Sequence, residues 1–298
     1  MSVARRQSLA FQLGARTLLR VDRRLVRVGL DLDAALSGRA PALPPLPEDA
    51  DGWLVTSLPE AALGEVAARG MLGHVRQRYT RYHADLSTGF DAWWAGLSAN
   101  TRSGLKRKVK KLGTLDVRRY RTPEELETFH ALARDVAAKT YQERLLGAAL
   151  PDTPEFVAEM LGQAAAGAVR AWLLFLDGRP AAYLYCPVVR GVVVYAYLGH
   201  DPAVGELSPG AVLQVEAMRD LFAEGDLRQF DFTEGEGQHK RSLATGGVAC
   251  ADLLLLRPTL ANRAVLAGLQ GFDAGVALAK RVVAKAGLQD WAKRVRRG

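Results

Sequence analysis

Residues 191–244 read GVVVYAYLGHDPAVGELSPGAVLQVEAMRDLFAEGDLRQFDFTEGEGQHKRSLA, and this stretch decides the fold of the chain. An apolar strand is predicted from Val192 to Leu198, and a helix from Ala211 to about Ala223 follows the turn Ser208-Pro209-Gly210. A second strand, Gln229 to Phe232, leads into a polar run. Because the first N–H groups of a helix have no partner of their own, a glycine-containing turn of this kind typically binds phosphate. The stretch therefore predicts a ligand with a pyrophosphate.

Length and composition are those of a soluble globular protein. The chain has 298 residues, 49% of them apolar and 24% charged, so it can bury one large core or two modest ones. No run reaches the roughly 18 apolar residues of a membrane helix, and no export signal is evident. Cys186 and Cys250 lie in apolar, strand-like runs, which favours small buried thiols over a disulfide or a metal site. We expect a protein of the reducing cytoplasm.

The net charge of +8 is concentrated in two segments. Residues 102–111 contain six basic residues and no acid, and residues 261–298 contain eight basic residues and two acids. The rest of the chain is therefore slightly acidic. Each segment predicts a local basic surface that could attract phosphate, nucleic acid or lipid head groups, and a solvated helix face is the simpler alternative for each.

The N-terminal part of the chain has strands and helices but no chemical motif. Residues 10–32 predict a hairpin with its bend at the charged residues 22–24. Apolar residues at spacings of three and four predict an amphipathic helix over residues 90–112, interrupted near Ser98.

From Leu115 onward the pattern predicts the element order β-α-α-β-β-β-α-β-α-β. Thr122 and Thr153 each precede a proline and an acid, which is typical of a capped helix start. Asp177-Gly178 suits a two-residue hairpin turn. The sequence contains no phosphate-binding GxxxxGK loop, dinucleotide-binding GxGxxG, hydrolase GxSxG or metal-ligand spacing. The protein classes that these motifs define are therefore disfavoured.

This order, with a glycine-bearing turn opening the helix after the fourth strand, resembles the GNAT acyltransferase superfamily. Four short sequences resemble more closely the branch of cellulose-biosynthesis-type acetyltransferases, which is related to the Fem-type aminoacyl transferases. They are residues 139–147 (KTYQERLLG), Asp201-Pro202, residues 207–210 (LSPG) and residues 231–236 (DFTEGE), with Lys240 after them. The resemblance covers roughly residues 90–256. It implies an α/β (α+β) fold with a mixed, mostly antiparallel sheet flanked by helices.

The resemblance also implies an acyl-CoA co-substrate and no metal. In the superfamily, amides at the start of this helix bind the pyrophosphate, and two strands splay apart to admit the pantetheine. The usual fingerprint, Arg or Gln followed by Gly-x-Gly or Gly-x-Ala, is reduced here to Ser208-Pro209-Gly210, and Pro209 lacks an amide N–H. The residues implied for the donor are Ser208, Gly210, Ala211 and Val212 at the pyrophosphate and Tyr195, Tyr197 and Gly199 along the acyl channel.

N-acylation needs a base for the proton of the amine and groups that stabilise developing negative charge. Glu234 and Glu236 follow the second strand of the stretch, and we rank Glu236 first as general base, with solvated loop acids as the alternative. The resemblance places the group that protonates the leaving thiolate at His239 or Lys240. Asp231 lies between two aromatic residues, so it faces away from them and either orients Lys240 or contacts the acceptor amine.

The acceptor side is predicted at the end of the helix that starts after Thr122. Thr140, Tyr141 and Gln142 lie there as acceptor contacts, with helix capping and packing as an equal alternative. His200 and Asp201 are adjacent on a strand and point to opposite faces, so Asp201 is assigned to loop structure.

The C-terminal segment carries an apolar stripe at helical spacing between residues 265 and 295, with basic residues near its end. It predicts either a helix docked on the domain or an interfacial helix on anionic lipid. We therefore predict an N-terminal partial GNAT-like unit over residues 1–88, an acyltransferase domain over residues 89–258 and a basic amphipathic helical tail over residues 259–298.

The expected function is acyl-CoA-dependent N-acyl transfer to an amine of a cell-envelope precursor, namely an amino lipid, a sphingoid base or an amino sugar. The expected location is cytoplasmic, with a peripheral position on the inner membrane face if the tail binds lipid. Two alternatives remain open. One is a Fem-like transferase that uses aminoacyl-tRNA, for which residues 102–111 would bind the RNA backbone, and the other is a non-catalytic nucleic-acid-binding module.

Overall fold

The computed structural model describes residues 3–13, 16–67, 70–140, 150–235 and 237–285. The strands are β1 (Arg5–Leu13), β2 (Arg16–Gly29), β3 (Gly52–Pro59), β4 (Leu72–Asp85), β5 (Asp116–Tyr120), β6 (Val169–Leu176), β7 (Arg179–Val189), β8 (Val192–Val194), β9 (Tyr197–His200), β10 (Gln229–Asp231) and β11 (Gly246–Leu256). The helices are α1 (Leu32–Leu36), α2 (Leu63–Ala67), α3 (Phe90–Gly96), α4 (Ala99–Leu112), α5 (Pro123–Ala137), α6 (Pro154–Ala165), α7 (Pro209–Ala223), α8 (Gln238–Leu243) and α9 (Leu260–Lys285).

The chain forms two compact units, and the first is discontinuous. Met1–Tyr79 and Val248–Gly298 form the first unit, and Thr80–Gly247 forms the second. These limits differ from the expected boundaries at residues 88 and 258. The difference arises because β11 returns to pair with β3 in the first unit, from Cys250↔Pro59 to Leu256↔Gly52.

The sheet of the first unit combines antiparallel and parallel pairs. β1 pairs antiparallel with β2, β2 runs parallel to β3, and β3 pairs antiparallel with β11. The predicted bend at residues 22–24 is wrong, because β2 is one continuous strand that pairs with β1 from Arg5↔Leu25 to Leu13↔Arg16. Asp22 lies on the outer face of this ribbon and accepts a hydrogen bond from Arg6 Nε at 2.8 Å. Strand alternation exposes charged residues without bending the chain.

The first half of α9 packs on this sheet. Leu266 and Leu269 are buried in one cluster with Leu25, Leu254 and Leu256 of the strands. This part of the C-terminal segment therefore belongs to the core of the first unit. Residues 286–298 lie outside the described part of the chain, and none of the described helices is long and apolar enough to cross a membrane.

The second unit follows the predicted order with two differences: the strand predicted from Val192 to Leu198 is divided into β8 and β9, and the last strand of that order, β11, lies mostly in the first unit. The last residues of β4 pair antiparallel with β10, and β10 runs parallel to β8. From β8 the sheet continues through β7 and β6 to β5 in antiparallel pairs. Asp177 and Gly178 form the turn between β6 and β7 with φ values of 50° and 74°, which is the backbone that such a turn requires. Thr122 caps α5 with the reciprocal bond from Glu125, as the sequence indicated.

Helices cover both faces of this sheet. Along β6, Trp172 and Leu174 face a core shared with α3, α4 and α7, whereas Leu173 and Phe175 face a core shared with α5 and α6. A strand buried on both faces reads as a continuous apolar run, which explains the uninterrupted hydrophobic sequence of β6 from Ala171 to Leu176. The mixed, mostly antiparallel sheet flanked by helices confirms the predicted fold class.

Candidate active site

Two neighbouring strands of the second unit diverge and leave a gap. β8 pairs with β10 up to Val194↔Asp231, and the Tyr195 N–H donates to the Asp231 carbonyl at 2.9 Å. The next amide, of Ala196, donates instead to Tyr185 of β7 at 3.3 Å, and β9 then pairs with β7. The strand predicted over Val192 to Leu198 is therefore interrupted at residues 195–196, because its two halves have different partners.

A cavity of about 250 Å³ lies at this gap. Its lining combines aromatic rings with two side chains from the start of α8. The residues are Tyr183, Tyr195, Ala196, Tyr197, Leu198, His239 and Lys240. Four of the predicted site residues, Tyr195, Tyr197, His239 and Lys240, are thus brought together.

Tyr195 and Tyr197 line the cavity from two different packing clusters. The Tyr195 ring contacts Phe230 and His239, with ring centroids 6.1 and 6.2 Å apart, and the Tyr197 ring contacts Phe156 at 5.7 Å. Burial raises the pKa of both tyrosine hydroxyls, so both stay neutral near pH 7. They can therefore donate or accept hydrogen bonds at the gap, but they are not suited to act as bases.

Gly199 shapes the cavity through its cross-strand neighbour. It pairs with Tyr183 of β7, and a Cβ at position 199 would lie 2.4 Å from Cε1 of that tyrosine. Only glycine leaves room for the ring to lie across β9. The predicted channel residue Gly199 thus determines where Tyr183, which sequence reasoning missed, can place its ring.

The predicted pyrophosphate turn opens α7, as expected. Ser208 has left-handed backbone angles, φ 56° and ψ 48°, and its side chain does not cap the helix. The N–H groups of Ala211 and Val212 donate to the Ser208 carbonyl at 3.1 and 3.3 Å. The Gly210 N–H donates to no group in the part of the chain that the structure describes. Gly210 therefore offers the open amide, whereas a phosphate at Ala211 or Val212 would compete with an existing bond.

The same turn has a cation and a strand close to it. Lys111 at the end of α4 donates from Nζ to the carbonyl of Glu206 at 3.2 Å, two residues before Ser208. A Cβ at Gly210 would lie 3.1 Å from Cδ2 of Leu198 in β9. The helix start, the cation and the cavity wall are thus neighbours within one unit.

Asp231 is held by an ion pair rather than by Lys240. Arg81 of β4 donates from Nε to Oδ1 at 3.1 Å and from Nη2 to Oδ2 at 2.6 Å, and the Thr233 N–H also donates to Oδ1 at 2.8 Å. Arg81 is 7% exposed and Asp231 1%. Asp231 does face away from Phe230 and Phe232, whose rings pack at 4.9 Å in the α7-side core. Its bonds show a positioning role for the loop that follows β10.

That loop has an unusual backbone, and Lys240 is bonded to it. Thr233 and Gly235 have positive φ values of 62° and 92°. Lys240 Nζ donates to the Glu234 carbonyl at 2.6 Å. The Asp231 carboxylate and the Lys240 ammonium therefore brace the loop on either side of Glu234. Glu236, the predicted base, lies outside the described residues.

The surroundings of His239 favour the neutral form of its imidazole. Its ring lies beside Tyr195, although the residue as a whole is exposed. Partial burial of the ring, and then the charge of Lys240, lower the pKa of the His239 imidazole below its ordinary value of 6.5. A neutral imidazole accepts a proton, so of the two candidates for the acid, Lys240 fits that role better.

The predicted acceptor side is partly described. Thr140 is buried, and its hydroxyl donates to the Ala137 carbonyl at 2.8 Å, which is the helix-capping alternative. Lys139 forms an ion pair of 2.8 Å with Asp201, which places the end of α5 at the end of β9. Asp201 also accepts the Ala203 N–H at 2.9 Å, in agreement with its assignment to loop structure. Tyr141 and Gln142 lie outside the described residues.

Sequence reasoning missed Arg81 and Lys139. Arg81 lies 150 positions before Asp231, and Lys139 lies 62 before Asp201, so no local spacing connects either pair. The one available signal was the buried position of Asp231 between two aromatic residues, since a buried carboxylate requires a partner. Among the described residues, no group of three or more His, Cys, Asp or Glu side chains is placed to hold a metal ion.

A family model matches the part of the chain that contains the cavity. Residues 99–241 match the family model of the acetyltransferase (GNAT) domain. No curated protein matches the chain. The match spans α4 to the middle of α8 and includes the gap, the α7 turn and the loop after β10.

Solved structures with a similar fold are distant in sequence. A conserved protein of unknown function from Bacteroides thetaiotaomicron is 11% identical with a TM-score of 0.50, over 70% of this chain and 71% of that one. The C-terminal domain of a putative lysylphosphatidylglycerol synthetase from Agrobacterium fabrum is 13% identical, also with a TM-score of 0.50, over 79% and 72%. FemX is 10% identical with a TM-score of 0.49, over 85% and 88%. At these identities the likeness concerns the fold alone. The chain thus carries a GNAT-type acetyltransferase domain over residues 99–241, and this domain indicates a transferase.

Proposed function

We propose that the protein is an acyl-CoA-dependent N-acyltransferase whose acceptor is an amine of a cell-envelope precursor: an amino lipid, a sphingoid base or an amino sugar. The observation that carries the proposal is the gap between β9 and β10. The cavity at this gap is lined by Leu198, which lies beside the open amide of Gly210, and by His239 and Lys240. The membership of the cellulose-biosynthesis-type branch stays a prediction.

The reaction would form one bond and break one. The nitrogen of a neutral acceptor amine attacks the thioester carbonyl carbon, and the carbon–sulfur bond then breaks to release the CoA thiolate. The amine proton passes to a base on the loop after β10 or at the start of α8, for which Glu236 is the sequence-based choice and neutral His239 a further candidate. The thiolate receives a proton from Lys240, directly or from water.

Donor binding tests the proposal most directly. Acetyl-CoA should raise the melting temperature of the wild-type protein and bind in calorimetry. Gly210→Asp should abolish this binding, because it adds a negative charge at an anion site. Gly210→Ala separates charge from size: its Cβ only displaces the end of Leu198 by a few tenths of an ångström, so this variant should fold and bind more weakly.

The matched control places the same charge at the other end of the helix. Gly225 is exposed beyond the end of α7, and a Cβ there meets nothing within 4 Å. Gly225→Asp should therefore bind acetyl-CoA like the wild type. Equal acetyl-CoA affinity in the wild type and Gly210→Asp would remove the α7 turn from the donor site, and no binding by the wild type would refute the CoA donor.

His239 should titrate below pH 6.5. Burial and the charge of Lys240 both disfavour the imidazolium form, so the neutral form should persist to lower pH than in a free histidine. Lys240→Met removes the charge and should raise the pKa towards 6.5. NMR titration of the imidazole C–H signals measures both values, with His239→Gln to assign the resonance. A pKa above 6.5 in the wild type would contradict the neutral base.

Aminoacyl transfer from tRNA is the second candidate. Lys106, Arg107 and Lys110 are exposed on α4, whose end lies beside the turn that opens α7. A ridge of cations next to the donor site fits a nucleic acid backbone, and such binding would weaken steeply as salt rises. Salt-titrated tRNA binding, measured beside the acetyl-CoA titration, distinguishes the two donors: the CoA proposal predicts saturable acetyl-CoA binding and no transfer from aminoacyl-tRNA.

A further inference from the structure

The β1–β2 hairpin of the first unit is a third basic segment of the chain. Residues 5–29 contain seven arginines and a single acid, Asp22. Two of the arginines are in ion pairs of 2.6 Å, Arg6 with Asp22 and Arg24 with Asp49. Arg5 and Arg20 are exposed. The hairpin therefore presents excess positive charge to solvent.

The same hairpin exposes two adjacent leucines. Leu18 is 55% exposed and Leu19 56%, and they lie two and three positions after Arg16, the first residue of β2. Leu18 is the extra residue of a β-bulge between the pairs Phe11↔Leu19 and Gln12↔Thr17, so the two exposed leucines lie together at an irregularity of the ribbon. Two positions further along β2, Val21 packs in the cluster that contains Leu9, Leu266 and Leu269. The contact with α9 thus covers Val21 and leaves Leu18 and Leu19 in solvent.

We propose that this hairpin attaches the protein to an anionic lipid surface. Leu18 and Leu19 would enter the boundary between head groups and acyl chains, while the exposed Arg20 beside them would contact lipid phosphates. Apolar side chains beside cations fit a bilayer boundary, because the apolar side chains are buried there and the cations contact anionic head groups. A nucleic acid backbone would bind the arginines through its phosphates but leave the leucines in water. The inference is independent of the donor that the second unit uses.

Vesicle cosedimentation of the full chain tests this attachment. The wild type should sediment with vesicles of phosphatidylglycerol and phosphatidylcholine, remain in the supernatant with phosphatidylcholine alone, and leave the anionic vesicles as salt rises. Leu18→Asn with Leu19→Asn should reduce the partition coefficient at least tenfold. Arg20→Gln should reduce it about fivefold. All three side chains are exposed, so these variants should keep the wild-type melting temperature.

Matched control variants replace one exposed apolar side chain and one exposed basic side chain outside the hairpin. Val189 is 49% exposed at the end of β7, and Lys106 is exposed on α4. Val189→Asn and Lys106→Gln should sediment like the wild type. Unchanged sedimentation of the Leu18→Asn, Leu19→Asn variant would overturn the proposal, because the attachment would then lie in another segment, such as residues 286–298.

A fluorescent reporter tests insertion at the hairpin itself. Both native cysteines, Cys186 and Cys250, are buried, so Leu18→Cys can be labelled selectively with an environment-sensitive nitrobenzoxadiazole dye. Its emission should shift to the blue with anionic vesicles and stay unchanged with phosphatidylcholine vesicles. No shift, or a shift produced by RNA and not by vesicles, would overturn the lipid assignment.

Discussion

Glu236→Gln is expected to lower the rate of acyl transfer near neutral pH by roughly 10²–10⁴-fold, because the amide keeps the shape of the side chain but cannot accept the proton of the amine. Acetyl-CoA affinity should stay within about twofold of the wild type, since the α7 turn and the cavity wall are unchanged. Single-turnover transfer from acetyl-CoA, together with calorimetric donor binding, separates these two quantities.

Glu234→Gln is the matched control for this prediction. The Glu234 main-chain carbonyl is bonded to Lys240, and that bond does not depend on the side chain. Because Glu236 is ranked above Glu234 as the base, this variant should keep a higher rate of transfer than Glu236→Gln. If Glu236→Gln is fully active while His239→Gln loses the activity, the base is His239. If Glu236→Gln, His239→Gln and Glu234→Gln all keep full activity, neither the loop after β10 nor the start of α8 supplies the base.

Arg81→Met is expected to destabilise the protein by about 3–5 kcal/mol, because it leaves the Asp231 carboxylate buried without its counter-charge. Denaturant unfolding measures the loss. Arg78→Met is the control on the same strand: Arg78 pairs with Glu60 at 2.5 Å at the surface, and such exposed pairs contribute at most about 1 kcal/mol. Similar losses from both variants would contradict the assignment of Arg81 to a buried, essential pair.

The double variant Arg81→Met, Asp231→Leu distinguishes stability from positioning. Removing both charges should restore most of the lost stability, since an apolar pair replaces the buried ion pair. The Thr233 N–H would still lack its acceptor, so the loop that holds Glu234 would lose one of its two braces. We therefore expect a stable protein with a reduced rate constant and a nearly unchanged donor affinity. Full activity of the double variant would mean that Asp231 serves the fold alone.

Local patterns in the sequence were sufficient for most elements of the second unit. Caps at Thr122 and Thr153, the Asp177-Gly178 turn and the apolar run of β6 depend on residues a few positions apart. The break at residues 195–196 could not be predicted in this way. Tyr195 and Ala196 are as apolar as their neighbours, and the break depends on which strand each amide reaches, β10 or β7.

The candidate site was only partly accessible from sequence for a related reason. Tyr195, Tyr197, His239 and Lys240 lie within one stretch, and the structure does bring them to one cavity. Tyr183 enters this cavity because it faces Gly199 across the sheet. Arg81 binds Asp231 from a strand that is far away in the chain. Such contacts depend on strand register and long-range pairing, which a single sequence does not specify.

The discontinuity of the first unit has a consequence for biosynthesis. β11 and α9, which complete its sheet and core, leave the ribosome last, whereas residues 80–247 form a continuous stretch that is synthesised before them. Domains commonly fold as units during synthesis, so the second unit can fold first. The N-terminal strands can complete their sheet and core only after β11 and α9 have been synthesised. Premature termination after residue 247 would then spare the second unit and leave β3 with an open edge, which is a surface prone to aggregation.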